Sequence, residues 1–258
     1  MDTRKITLKT DEEIKIMVEG GRKLRLVLRE IIKRAKPGIT TLELDHYGEE
    51  LIRKAGGRPS FKMVPKYNWA TCMCVNKVVV HGIPNNYPLK EGNVLGIDVG
   101  MYYKKFHTDT AWTIEISKSK YQKAKSMKDN FLETGVKALE GAIETARVGN
   151  HIGHISRAIQ ETIEKQGYSV VRTLVGHGIG KVLHEPPEIP CFLRGEIEKT
   201  PKILSGMTLA IEVIYNQGKS EVSYENDDGW TIVTADGELS GLFERTIAVT
   251  KTGPIILT

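Results

Sequence analysis

The sequence runs to 258 residues, 40% of them apolar and 27% charged, which is enough to bury a substantial core in one large domain or two small ones. A formal charge of +5 with a pI near 8.9 is mildly basic; it supports solubility or weak attraction to polyanions and does not by itself indicate nucleic-acid function. No stretch approaches the roughly 20 apolar residues of a membrane span, and Met1 to Lys5 lacks the apolar run of a secretory signal, so cytoplasm is the expected compartment.

Thr10-Asp-Glu-Glu13 has the form of a capping box and opens a helix to about Ala35, stopped by Pro37-Gly38. Ile14, Met17, Val18, Leu24, Val27, Leu28 and Ile31 fall on one face of it. Lys15, Arg22, Lys23, Arg25, Arg29, Lys33 and Arg34 make the other, a solvated face that also suits docking onto an acidic surface such as ribosomal RNA. Thr40-Thr-Leu-Glu43 starts a second helix ending near Ala55, with Gly56-Gly57 as its stop.

An aromatic and basic loop, Phe61 to Trp69, leads into a strand over Ala70 to Asn76, and Val78 to Val80 delivers His81. Two long apolar strands follow within Val94 to Ile114, folded back on each other by a turn near Tyr102 to Lys104. Next come a helix from about Lys120 to Arg147, a second capped by Asn150 and running to Gln166, and a strand over Ser169 to Val175. From Met207 the pattern is strands, with turns at Gly218, Asp228-Gly229 and Asp236-Gly237. Cys72, Cys74 and Cys191 form no even framework and read as free thiols of a reducing compartment.

Each long strand of the central pair carries one carboxylate where core is expected, Asp98 and Asp109, and the turn makes them cross-strand neighbours. Opposed residues have Cβ atoms about 5 Å apart, so two such acids need a shared proton, a buried Lys or Arg, or a divalent cation. The pattern returns later. Gly92-Asn-Val-Leu-Gly-Ile-Asp98-Val aligns with Gly206-Met-Thr-Leu-Ala-Ile-Glu212-Val, and Asp109 and Glu244 follow Phe106 and Phe243. His81-Gly-Ile answers His177-Gly-Ile, and Lys36-Pro-Gly with Lys54-Ala-Gly answers Arg147-Val-Gly with Lys165-Gln-Gly. The offsets are roughly 95 to 135 residues and the order is kept, as in one domain built from two related halves. Helix, helix, strands, twice over, is an α+β pattern, with helices outside a strongly curved antiparallel sheet.

Gly176-His177-Gly178-Ile179-Gly180 places an imidazole among glycines that permit close approach, and His184-Glu185-Pro186-Pro187 follows. Four carboxylates, Asp98, Asp109, Glu212 and Glu244, with one imidazole carry too many oxygens for a structural zinc site; the set suits two divalent ions bridged by acids, and hydrolysis as the reaction class.

The stretches VNKVVVHGIP, LGIDVG, FHTDT, GHGIGKVLHEPP, GMTLAIEV, DGWTIVT and FERTIAVT resemble the methionine aminopeptidases and, more broadly, the creatinase-like pita-bread metalloenzymes, over nearly the whole chain. The resemblance implies a single catalytic domain over residues 1–258 of two pseudo-symmetric halves. It implies metal ligands at Asp98, Asp109, His177, Glu212 and Glu244, holding two divalent ions drawn from Co, Mn, Fe, Ni or Zn. His81 and His184 match substrate-contacting histidines, Glu212 the proton-shuttling acid, and Phe61, Tyr67, Cys72 and Trp230 the surroundings of a methionine pocket. It implies removal of the initiator methionine from nascent polypeptides with a small second residue, a passing contact with the ribosome, and a monomer acting on neither DNA nor membrane. Leu183, Thr108, Val213 and Arg245 depart from the family's common residues and put second-residue preference in question. Only 27 residues separate His184 and Glu212, too few for a type II insert, so a minimal type I enzyme is expected. Two rivals remain: an Xaa-Pro aminopeptidase of the same fold, and a non-catalytic pita-bread binding module.

Overall fold

The computed structural model describes residues 5–117, 127–225 and 227–258. In chain order its elements are α1 (Asp11–Arg34), α2 (Thr41–Lys54), β1 (Arg58–Pro59), β2 (Thr71–Val75), β3 (Val78–Val80), β4 (Val94–Tyr103), β5 (Phe106–Glu115), α3 (Met127–Thr145) and α4 (Ile152–Glu164). Then follow β6 (Ser169–Val170), β7 (Val175–Gly178), β8 (Glu185–Pro190), β9 (Thr208–Asn216), β10 (Val222–Tyr224), β11 (Ile232–Thr234), β12 (Ser240–Thr250) and β13 (Gly253–Ile256). Among the described residues no helix is long and apolar enough to cross a membrane.

Both expected capping boxes are present. Thr10 and Thr40 each accept the N–H of the glutamate three residues on, and Glu13 and Glu43 reach back to the cap N–H. Met17, Leu24, Val27, Leu28 and Ile31 are buried, while the basic side of α1 is exposed apart from the half-buried Lys23. The start expected for the third helix lies outside the described residues. The fourth helix is capped by His151, not Asn150, because the Asn150 side chain is turned back to donate to Thr145 O. The strand expected over Ser169 to Val175 is broken in two: β6 pairs with one end of β9 and β7 with the other, and the chain bends between them.

The main sheet runs β1-β4-β5-β12-β9-β7-β8, with β2 added on β4, β13 on β12 and β6 on β9, all antiparallel; β10, β11 and β3 form a small second sheet. The two halves meet at β5–β12, where Glu244 stands opposite Ala111 and Arg245 opposite Thr110. Around that seam β4–β5 mirrors β9–β12, and β2 on β4 mirrors β7 on β9, in line with the sequence repeat. One correspondence does not carry over: His177 lies inside β7 of the main sheet, whereas His81 follows β3 of the small sheet.

Strand alternation assigns the two faces of the sheet. Leu95, Ile97, Val99 and Met101 of β4 pack with Leu24, Leu28 and Ile31 of α1 and Leu44 and Ile52 of α2. Leu209, Ile211, Val213 and Tyr215 of β9 pack with Phe131, Leu139, Ile155 and Ile159 of α3 and α4. The acids occupy the intervening positions, so the helices cover one face and the carboxylates collect on the other.

Candidate metal centre and active site

The β4–β5 hairpin turns at Lys104–Lys105, both with left-handed φ (46° and 75°), one residue later than the sequence pattern suggests. Asp98 therefore stands opposite Ala111, and Asp109 opposite Gly100, so the two acids are diagonal neighbours and not directly opposed. In the second half Glu212 and Glu244 do stand directly opposite each other. Reading the register across the sheet gives one transverse row, Cys72–Asp98–Ala111–Glu244–Glu212, through five strands. Ala111 contributes only a methyl group to the middle of that row. Asp109 lies two residues along β5, and His177, opposite Ala210, two residues along from Glu212.

Close approach is built in. A Cβ on Gly100 would come within 2.9 Å of both Phe61 and Ser60 and 3.3 Å of Asp109 Oδ1. On Gly178 it would meet Pro186 O at 2.3 Å, which fits the expected role of the glycines around His177.

One narrow cavity of about 120 Å³ is lined by all eleven residues singled out in the sequence: Asp98, Asp109, His177, Glu212 and Glu244, with His81, His184, Phe61, Tyr67, Cys72 and Trp230. Asp109, His177 and Glu244 are buried and can direct one ligand atom each to positions within 4.8 Å of one another. His177 Nε2 lies 3.5 Å from Glu212 Oε1. His177 Nδ1 is 2.8 Å from Gly178 O; a carbonyl only accepts, so the proton sits on Nδ1 and Nε2 keeps its lone pair toward the acids. Asp109 is held by Thr246, whose Oγ1 accepts the Asp109 N–H and donates to its carbonyl, both at 2.8 Å.

The electrostatics of this cluster are unfinished by protein alone. Burial raises Asp98, Asp109 and Glu244 well above the usual carboxylate range, and the charge of neighbouring acids pushes each the same way. Burial and Asp109 push Glu212 up to about 8, and burial takes His177 down to about 3. Asp98 Oδ1 and Glu244 Oε1 are buried without a hydrogen-bond partner. Desolvating bare carboxylates costs on the order of several kcal/mol each. Hard oxygens, one neutral imidazole nitrogen and unpartnered buried lone pairs are the donor set that divalent cations take, so these residues fit a metal centre.

The opposite wall is aromatic. Phe61, Tyr67 and Trp230 meet edge to face, with centroids 6.3 Å (Phe61–Tyr67) and 5.1 Å (Tyr67–Trp230) apart. The Tyr67 hydroxyl donates to Thr71 O at 2.9 Å and lies 3.2 Å from Cys72 Sγ. All three cysteines are free, as expected, and they are buried. His81 stands edge-on to Trp230 at 6.2 Å, with left-handed φ of 56°, a conformation rare outside glycine that is often held at functional sites. Burial lowers His81 to about 4, so it is neutral at neutral pH. His184 is exposed and meets the His177 ring edge-on at 4.4 Å.

Sequence reasoning missed Val64 and Val80 on the cavity lining, and His107, buried with Nδ1 2.9 Å from Ser60 Oγ. The position of His107, two residues before Asp109 on the same strand face, was a usable signal. Of the four departures from the family pattern, Leu183 alone lines the cavity.

A sheet of two mirrored halves, carrying a buried acid cluster with one imidazole, defines a pita-bread metallohydrolase. The model of metallopeptidase family M24 matches residues 15–251, and the chain belongs to that family. It is 42% identical to the methionine aminopeptidase of Clostridium perfringens and 41% identical to methionine aminopeptidase 1 of Bacillus subtilis, in each case over 98% or more of both chains. Its structure superposes on a methionine aminopeptidase from Thermotoga maritima with a TM-score of 0.91 at 37% identity, covering 98% of this chain and 99% of that one. The prolidase from Pyrococcus horikoshii shares the fold, with a TM-score of 0.76 at 21% identity, covering 97% of this chain and 63% of the prolidase.

Proposed function

We propose that this chain is a methionine aminopeptidase that removes the initiator methionine from newly made polypeptides, with residues 1–258 acting as one catalytic unit. The observation that carries the reading is a cavity with unpartnered buried carboxylate oxygens on its floor and an apolar aromatic wall beside them. Near-full-length likeness to methionine aminopeptidases supports it.

Asp98, Asp109, His177, Glu212 and Glu244 are the residues that would hold two divalent ions. Bound metal supplies Lewis acidity toward the scissile carbonyl and water of lowered pKa. The protein does the rest. Phe61, Tyr67, Cys72 and Trp230 enclose the methionine side chain and exclude water from it. His184 donates a hydrogen bond to the carbonyl oxygen and steadies the charge that grows there during attack. His81 faces the leaving amide nitrogen. Glu212 takes a proton from the attacking water at its carboxylate and passes it to that nitrogen. The substrates are nascent chains with a free α-amine and a small second residue, met in the cytoplasm through a brief ribosome contact by the monomeric enzyme.

Peptide competition tests this against the Xaa-Pro reading. Release from Met-Ala-Ser is expected to exceed release from Ala-Pro peptides, and the reverse order overturns the assignment. Chelated protein is expected to regain activity with at least one of Mn, Fe, Co, Ni or Zn; no recovery with any of them, together with binding to ribosomes, favours a binding module.

A further inference from the structure

Lys9 and Glu185 form an ion pair that the reaction above leaves unused, with side chains 4% and 7% exposed. Lys9 belongs to the segment before α1. Its N–H donates to Gly206 O at 2.7 Å and its Nζ also donates to Thr7 O at 3.3 Å, so the segment is anchored to the body of the second half. Glu185 begins β8 and directly follows His184. Its Oε2 accepts from Lys9 Nζ, while its Oε1 accepts the Val182 N–H at 3.1 Å. One carboxylate thus closes the loop that carries His184 and ties it to the N-terminal segment.

The near side of the same loop is held by main-chain bonds from His107 N–H to Gly180 O at 2.7 Å and from Ile179 N–H to Thr208 O at 3.0 Å. Gly180 lies so close to the Lys9 stem that a Cβ there would come within 2.3 Å of Cε. His184 itself is exposed at the end of this loop, its ring edge-on to His177. The buried anchor is one residue away.

A buried ion pair is a poor source of stability, because desolvation offsets the attraction, but it imposes a geometry that neither partner can leave without stranding a charge. We infer that the Lys9–Glu185 pair sets the position of the His184 imidazole over the scissile bond, making both positioning residues for the reaction; this rests on the role given to His184 above. A contact to developing charge is stronger in the transition state than in the ground state, so its loss falls on kcat more than on KM.

The test uses the metal-loaded full chain as wild type and as Glu185→Gln, Lys9→Met, Lys9→Arg, His184→Ala and the two pairings of His184→Ala with Lys9→Met and Glu185→Gln. Turnover and KM are read on Met-Ala-Ser, with metal content by elemental analysis. Glu185→Gln and Lys9→Met are expected to lower kcat at least about tenfold, with KM within about threefold and metal unchanged. Lys9→Arg should keep most of the rate. Neither Lys9→Met nor Glu185→Gln should lower kcat further once His184 is alanine, since the cycle then has no coupling left to lose. Should Lys9→Met fail to fold, the near-isosteric Glu185→Gln carries the same cycle. Wild-type kcat in Glu185→Gln, or an equal loss with and without His184, overturns the inference. Full turnover in His184→Ala alone would instead overturn the role of His184, and this inference with it.

Discussion

The floor of the cavity, where Asp98, Asp109, His177, Glu212 and Glu244 converge, leaves buried oxygens without partners, whereas the wall of Phe61, Tyr67, Cys72 and Trp230 is held by mutual contacts. The wall is complete as folded and can select by shape. On the proposed reading cations complete the floor, so a change there is expected to remove the reaction and a change in the wall to alter what is accepted.

The largest expected effect follows from Asp109→Asn. Losing one central carboxylate should release metal and lower kcat/KM by on the order of a thousandfold or more; elemental analysis of a variant that keeps full metal would break the distinction at its root. His184→Ala should lower kcat by roughly a hundredfold with metal nearly unchanged, because its proposed role is to stabilise charge without holding an ion. Equal metal loss in these two variants would show that floor and rim are one unit. Trp230→Ala belongs to the wall, and should raise KM for Met-Ala-Ser roughly tenfold with a much smaller change in kcat. A larger loss in kcat than in KM would place Trp230 with the reacting groups.

The smallest effect is one of stability in the chelated protein. Between pH 7.5 and about 8 the unfolded chain has its glutamates ionised and its histidines largely neutral, as His81, His107 and His177 already are when folded, while folded Glu212 still binds a proton, being raised to about 8. The folded state then holds more protons than the unfolded one, so stability is lost as pH rises through this window. Metal-free protein should therefore show a falling Tm from pH 7.5 to about 8 by calorimetry. Metal-loaded protein should not, and a parallel fall in both would mean that the floor does not titrate as a cation site does.

Much of this site was legible because the local chemistry is explicit. Thr10 with Glu13 and Thr40 with Glu43 announce their helices through paired side chain and backbone bonds, and the repeated acid in LGIDVG and LAIEV marks equivalent strands. What escaped was set by single-residue geometry. A turn one residue later, at Lys104–Lys105, makes Asp98 and Asp109 diagonal, and the turned-back Asn150 side chain hands the cap to His151. Lys9 and Glu185 escaped for another reason: their pairing joins positions 176 residues apart, and no local pattern signals it.

The seam between β5 and β12 joins residues as distant as Asp109 and Thr246, 137 positions apart. A growing chain that has already folded its first hairpin therefore presents two acids and no active centre. Only the pairing of β12 with β5 and β9 brings all four acids together.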